Sequence, residues 1–141
     1  MRLALVIVAL AGGIAHASPD AVCSVLEISA TSESTAAMDP DLKPLAKKLA
    51  DPPFSAWNTF KLLGKQTAEL YQGKPNALTI SVGKVSLMLR GRGVARVQLE
   101  VLIDDAKGNR EVSAKPDLPA DEWIVFGSGK KTGHLVALRC K

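Results

Sequence analysis

Along residues 78–103, LTISVGKVSLMLRGRGVARVQLEVLI, apolar and polar side chains alternate in three successive runs. Strict alternation is the period of a half-buried strand, and the glycines between the runs mark turns, so the stretch predicts an antiparallel meander. With Gly83-Lys84 as a two-residue turn, Val82 faces Val85, Ile80 faces Leu87 and Leu78 faces Leu89, and every pair on that side is apolar. A three-residue loop, Gly91-Arg92-Gly93, then sets Leu89 against Ala95, Leu87 against Val97 and Val85 against Leu99. A two-residue loop would oppose Arg96 to Leu87 and bury a charge, the one-residue slip that sheets avoid. The opposite face carries Thr79, Ser81, Ser86, Met88, Arg90, Arg96, Gln98 and Glu100, as a sheet wetted on one side does. Its greasy face needs a second layer, and the remaining chain must provide it.

The flanking segments predict that layer. Residues 22–30, VCSVLEISA, read as a first strand with Val22, Leu26 and Ile28 on one side and Cys23, Val25 and Glu27 on the other. Thr31 to Ala37 is small and polar, hence a loop. Asp41 is placed to cap a short helix over residues 42–50, with Pro44 inside its first turn. Leu42, Leu45 and Leu49 line one face of it and Lys43, Lys47 and Lys48 the solvated other, and Asp51-Pro52-Pro53 ends it. Strands are expected at about 58–63 and 67–72, interrupted at Gly64, with Phe54, Trp57 and Phe60 plugging the space between helix and sheet. Polar turn chemistry at 104–109 leads into a short strand at 110–114, a proline-punctuated loop at Lys115–Asp121, a strand covered on both faces at 123–126 and a last strand at 135–140. The fold class predicted is mainly β: an antiparallel two-layer β-sandwich of about seven or eight strands, with one short helix near residues 42–50 packed across an open end or edge.

The amino terminus changes where this domain is expected. Met1-Arg2 is followed by LALVIVALAGGIA and then by Ala15-His16-Ala17, the three-part pattern of a secretory signal peptide cleaved after Ala17. The apolar run is too short to span a bilayer, which takes ~20 residues. The expected organisation is a signal peptide, 1–17, and a single domain, 18–141, periplasmic or secreted. Export places Cys23 and Cys140 in an oxidising compartment, where two cysteines favour a disulfide. Lipidation of Cys23 is disfavoured because Asp20-Ala21-Val22 precedes it, and redox catalysis because neither cysteine sits in a Cys-x-x-Cys context.

Charge and motifs add little chemistry. Loss of Arg2 with the signal reduces the 18 Lys and Arg to 17, against 14 Asp and Glu, too small an excess to argue for nucleic acid. His134 is the one histidine of the mature chain, so no multi-histidine metal site can be built. Asp104, Asp105 and Asn109 lack the ligand spacing of a calcium loop, and Gly127 to Gly133 fails the phosphate-loop pattern because Ile124 and Lys131 stand where Gly and Ser or Thr belong. No catalytic, cofactor-binding or metal site is assigned, and no G-x-S-x-G or similar signature supports a hydrolase centred on His134.

The local feature that could act is the cluster Arg90, Arg92 and Arg96 around the glycine-rich turn. Its guanidinium groups suit a carboxylate, a phosphorylated sugar or an acidic partner surface, whereas no aromatic residues interleave to stack bases. A charged hairpin tip also serves solubility. The expected role is a non-catalytic exported binding or accessory domain whose partner is another envelope or extracellular protein, with no cofactor, no nucleic acid and no membrane span after signal removal. The alternatives are a secreted hydrolase inhibitor, inserting Lys115–Asp121 or Gly127–Gly133 into its target, and a small-ligand or carbohydrate carrier with a cavity between the layers.

Overall fold

The computed structural model describes residues 17–128 and 133–141, so the predicted signal segment, but for Ala17, lies outside the described residues. Ten strands are present among the described residues: β1 (Ala21–Thr31), β2 (Ala37–Met38), β3 (Thr59–Leu70), β4 (Pro75–Ile80), β5 (Gly83–Arg92), β6 (Arg96–Asp105), β7 (Arg110–Ala114), β8 (Asp117–Pro119), β9 (Trp123–Ser128) and β10 (Gly133–Cys140). They form two sheets. The first runs β2-β3-β1-β10-β9, and the second runs β4-β5-β6-β7, with β8 pairing β6 beyond the end of β7. The β-sandwich predicted from the alternation is therefore present.

The meander β4-β5-β6 supplies its core face as expected: Val85, Leu87, Leu89, Val97, Leu99 and Val101 are fully buried, and Ile80 and Ile103 nearly so. Its register differs from the prediction. Leu78 faces Val85 rather than Leu89, and Leu87 faces Val101 rather than Val97. Each displacement is of four residues, an even number, so no side chain changes face. The first turn is Ser81-Val82, not Gly83-Lys84, because β5 begins at Gly83 and passes tightly against β6. A Cβ on Gly83 would stand 1.9 Å from the Asp104 carbonyl oxygen, a position only glycine tolerates. Val82 is thereby expelled into the turn and half-exposed.

The first sheet is buried on both sides. Ala21, Cys23 and Val25 of β1, Ala68 and Leu70 of β3, and Val136, Leu138 and Cys140 of β10 meet the meander. The alternate residues Leu26, Ile28, Ala30, Phe60, Leu135 and Ala137 form a second core on the outer face. That face is covered by a 3-10 helix (Pro40–Leu45) continuing into a single α-turn, α1 (Ala46–Leu49). Leu42, Leu45 and Leu49 enter the outer core with at most 1% of their surface exposed, each burial favourable by about 1.5–3 kcal/mol. The helix thus lies on a sheet face, not across an open end, because the outer face of β1 and β10 is itself apolar and must be covered. Its cap is Asp39 rather than Asp41, with Pro40 opening the first turn and Pro44 absorbed by the 3-10 section. Phe54 and Trp57 plug the gap between helix and sheet as predicted.

Two other segments depart from expectation. The strands expected at 58–63 and 67–72 are one, β3, in which Gly64 marks a bulge rather than an end: Glu27 pairs Gly64 while Ile28 pairs Leu62, leaving Leu63 as the extra residue. The proline-punctuated loop at Lys115–Asp121 contains β8, whose Leu118 is buried opposite Val97. The continuous apolar run of β9 has the reason anticipated for it, since Ile124 and Phe126 join the inter-sheet core while Trp123 and Val125 join the outer one.

Cys23 and Cys140 form a disulfide between β1 and β10. Val22 and Lys141 exchange both backbone hydrogen bonds. That makes the neighbouring Cys23–Cys140 pair a non-hydrogen-bonded one, the pair type in which opposite side chains come closest, and the Cα atoms are 4.0 Å apart.

Candidate functional site

The predicted arginines lie around the β5–β6 hairpin tip. The tip is Gly93-Val94-Ala95, closed by the Gly93 N–H donating to the Arg96 carbonyl at 2.9 Å. Arg90 sits where a bulge interrupts pairing between Leu89 and Gly91, and bulges re-aim the side chain they carry. Arg92 is opposite buried Val97 and so shares the core-facing side, while Arg96 alternates to the other side; all three are exposed. The arginines therefore straddle the tip instead of sharing one face. Arg96 is held: its Nε donates to Asp117 Oδ1 at 2.9 Å and its Nη2 to the Asp117 carbonyl at 3.1 Å. Among the described residues, no ion pair engages Arg90 or Arg92. Between them and Arg96 the Val94 side chain is fully exposed.

At the opposite end of the meander, a polar cluster appears that alternation alone could not reveal. Glu27, 5% exposed, reaches from β1 across the gap to the β4–β5 turn. Its carboxylate accepts the Ser81 N–H at 2.8 Å and the Ser81 hydroxyl at 2.5 Å, and its Oε2 lies 3.5 Å from His134 Nε2. A charged acceptor binds such donors more strongly than a neutral one, so Glu27 clasps one sheet to the other. With Ser81 as the nucleophile, the order is unfavourable for a hydrolase built on His134. A serine nucleophile needs the imidazole beside its hydroxyl, whereas here the carboxylate stands between Ser81 and His134.

No family model, curated protein or solved structure matches the chain. Function must be read from its own geometry.

Of the two loops considered for an inhibitor, Lys115–Asp121 is tied down as β8, and Gly127–Gly133 falls largely on residues 129–132, outside the described residues. Between the sheets the cavity beside Glu27, lined by Leu63, Gln66 and Ile80, holds about 210 Å³. Among the described residues no group of three or more His, Cys, Asp or Glu could hold a metal ion. Asp104 and Asp105 are occupied with turn chemistry. Asp104 pairs with Arg110, and Asp105 accepts the backbone N–H groups of Asn109 and Lys107 at 2.9 Å each. Those bonds, the Asn109 N–H foremost, hold the Asp105 carboxyl below its ordinary pKa. Lys43, Lys47 and Lys48 are exposed on the solvent side of the helical cover.

Proposed function

We propose that this chain is an exported, non-catalytic binding or accessory domain of the cell envelope or extracellular space, and that it contacts an acidic surface of a partner protein through the β5–β6 tip. The observation that carries the reading is the arrangement there: fully exposed Val94 lies between Arg90 and Arg92, which have no described ion-pair partner, and Arg96, whose guanidinium is braced by β8. Arginine beside a small apolar contact is a composition that protein interfaces favour over lysine-rich surface. Export is supported by the signal-like amino terminus and by the disulfide. No helix of the described residues is long and apolar enough to cross a membrane.

The test is a comparative pull-down from the envelope and culture-fluid fractions of the source cells. The mature protein is compared with R90E/R92E and with a K47E/K48E control on the helical cover. A partner retained by the wild type and the control but lost from R90E/R92E supports the reading. Equal retention by all three refutes it.

A further inference from the structure

The helical cover leaves part of the outer face of the first sheet open. There Ser24, Arg139 and Trp123 stand in one row across three strands, because Ser24 pairs Arg139 and Arg139 pairs Trp123. Lys65 stands beside them, opposite Leu26. Asp41, from the 3-10 helix, lines the same space, and these residues border a partly open cavity of about 230 Å³. At ~30 Å³ per liquid water it has room for about eight waters, the size of a monosaccharide or an amino acid.

The Arg139 head is positioned without a ligand. Arg139 stacks its guanidinium carbon 4.9 Å from the Trp123 ring centroid, and its Nε lies 3.6 Å from Asp121 Oδ1. One third of the Arg139 side chain is exposed, and this residue lines the cavity. A guanidinium fixed by stacking presents a planar fork that fits a carboxylate and loses little freedom on binding. Lys65 adds a second positive charge on the same floor. Asp41 on the wall asks for the opposite, a hydrogen-bond donor.

We propose that this cavity binds a small carboxylate that also carries a hydroxyl or ammonium donor, with Arg139 and Lys65 on the carboxylate and Asp41 on the donor. Such chemistry comes from acidic sugars or from amino acids. The site is separate from the hairpin tip and does not depend on the role assigned to it.

The experiment is a titration of the mature protein with D-glucuronate, L-alanine and D-glucose, read from the Trp123 indole N–H resonance, which W123F assigns. The expected result is saturable binding of glucuronate, alanine or both with a dissociation constant of about 1 mM, ordinary for so small a ligand. Glucose, lacking the carboxylate, should bind at least tenfold more weakly. Lys65 and Asp41 are exposed, so K65Q and D41N should fold normally and each weaken binding about fivefold or more; R139Q should abolish it. Binding of glucuronate alone assigns the site to acidic sugars and of alanine alone to amino acids. Absence of binding by both carboxylates, equal binding of glucose, or unchanged affinity in K65Q and D41N would overturn the proposal.

Discussion

Replacing Glu27 by Gln tests how the two sheets are fastened. The carboxylate is 5% exposed and accepts two donors from Ser81, at 2.8 and 2.5 Å. Gln keeps the volume but removes the charge, and it offers one carbonyl oxygen where two carboxylate oxygens accepted. The loss expected is that of at least one charge-assisted hydrogen bond, about 1.5–3 kcal/mol. Opposing this, the buried carboxylate costs desolvation that Gln relieves. The hydrogen bonds should win, because the carboxylate has donors on both oxygens, leaving a net loss of about 2 kcal/mol. For a domain of this size that corresponds to roughly 8 °C in Tm. The assay is urea unfolding of the oxidised protein followed by the fluorescence of Trp57 and Trp123. A double-mutant cycle with S81A isolates the pair, with expected coupling of about 1–2 kcal/mol. An unchanged urea midpoint in E27Q, or coupling below about 0.3 kcal/mol, would show that Glu27 is not the clasp.

Three further outcomes follow from the same packing. The disulfide joins residues 117 apart, so C23S/C140S should lose about 5 kcal/mol by the loop-closure estimate, seen as a large fall in the urea midpoint that dithiothreitol reproduces in the wild type. Gly83→Ala should cost more than about 2 kcal/mol or prevent folding, since its Cβ meets the Asp104 carbonyl. Gly73→Ala, at φ 77° with nothing within 4 Å, should cost about 1 kcal/mol, the strain of a left-handed residue alone; equal effects in urea unfolding would contradict the close-approach argument. Asp105, whose carboxyl pKa is lowered by the Asn109 and Lys107 N–H groups, contributes stability that is present above the ordinary carboxylate pKa and lost as pH falls through the lowered value. An NMR titration of its carboxyl carbon should give a midpoint below 3.8; a midpoint at or above that value would be inconsistent with the turn.

Face assignment was legible in the sequence because it depends only on parity. Leu78, Ile80, Val85, Leu87, Val97 and Leu99 pack into the inter-sheet core whichever even register the strands adopt. Register was not legible. A turn at Gly83 satisfies local rules as well as one at Ser81-Val82, and the choice is made by the contact of Gly83 with Asp104, far along the chain. The outer core was half visible in Leu42, Leu45 and Leu49, but its location required knowing that β1 and β10 are apolar on both faces. Glu27 read as an ordinary polar position in an alternating strand. Its burial and its bond to Ser81, 54 residues away, are tertiary facts without a local signal. The Arg139–Trp123 stack was hidden likewise, since only the β9–β10 pairing brings the two side chains onto one row. The basic tip, by contrast, is a feature of seven adjacent positions, Arg90 to Arg96, on one hairpin and survives any even change of register.

The most direct test of the account is site-specific photo-crosslinking in the exported fraction, with a benzophenone amino acid placed at Val94 or, as control, at Lys47. Binding through the tip predicts a discrete adduct from position 94 that disappears when R90E/R92E is added to the same chain, and none from position 47. Adducts from position 47 alone, or an adduct at 94 that persists after charge reversal, would contradict it.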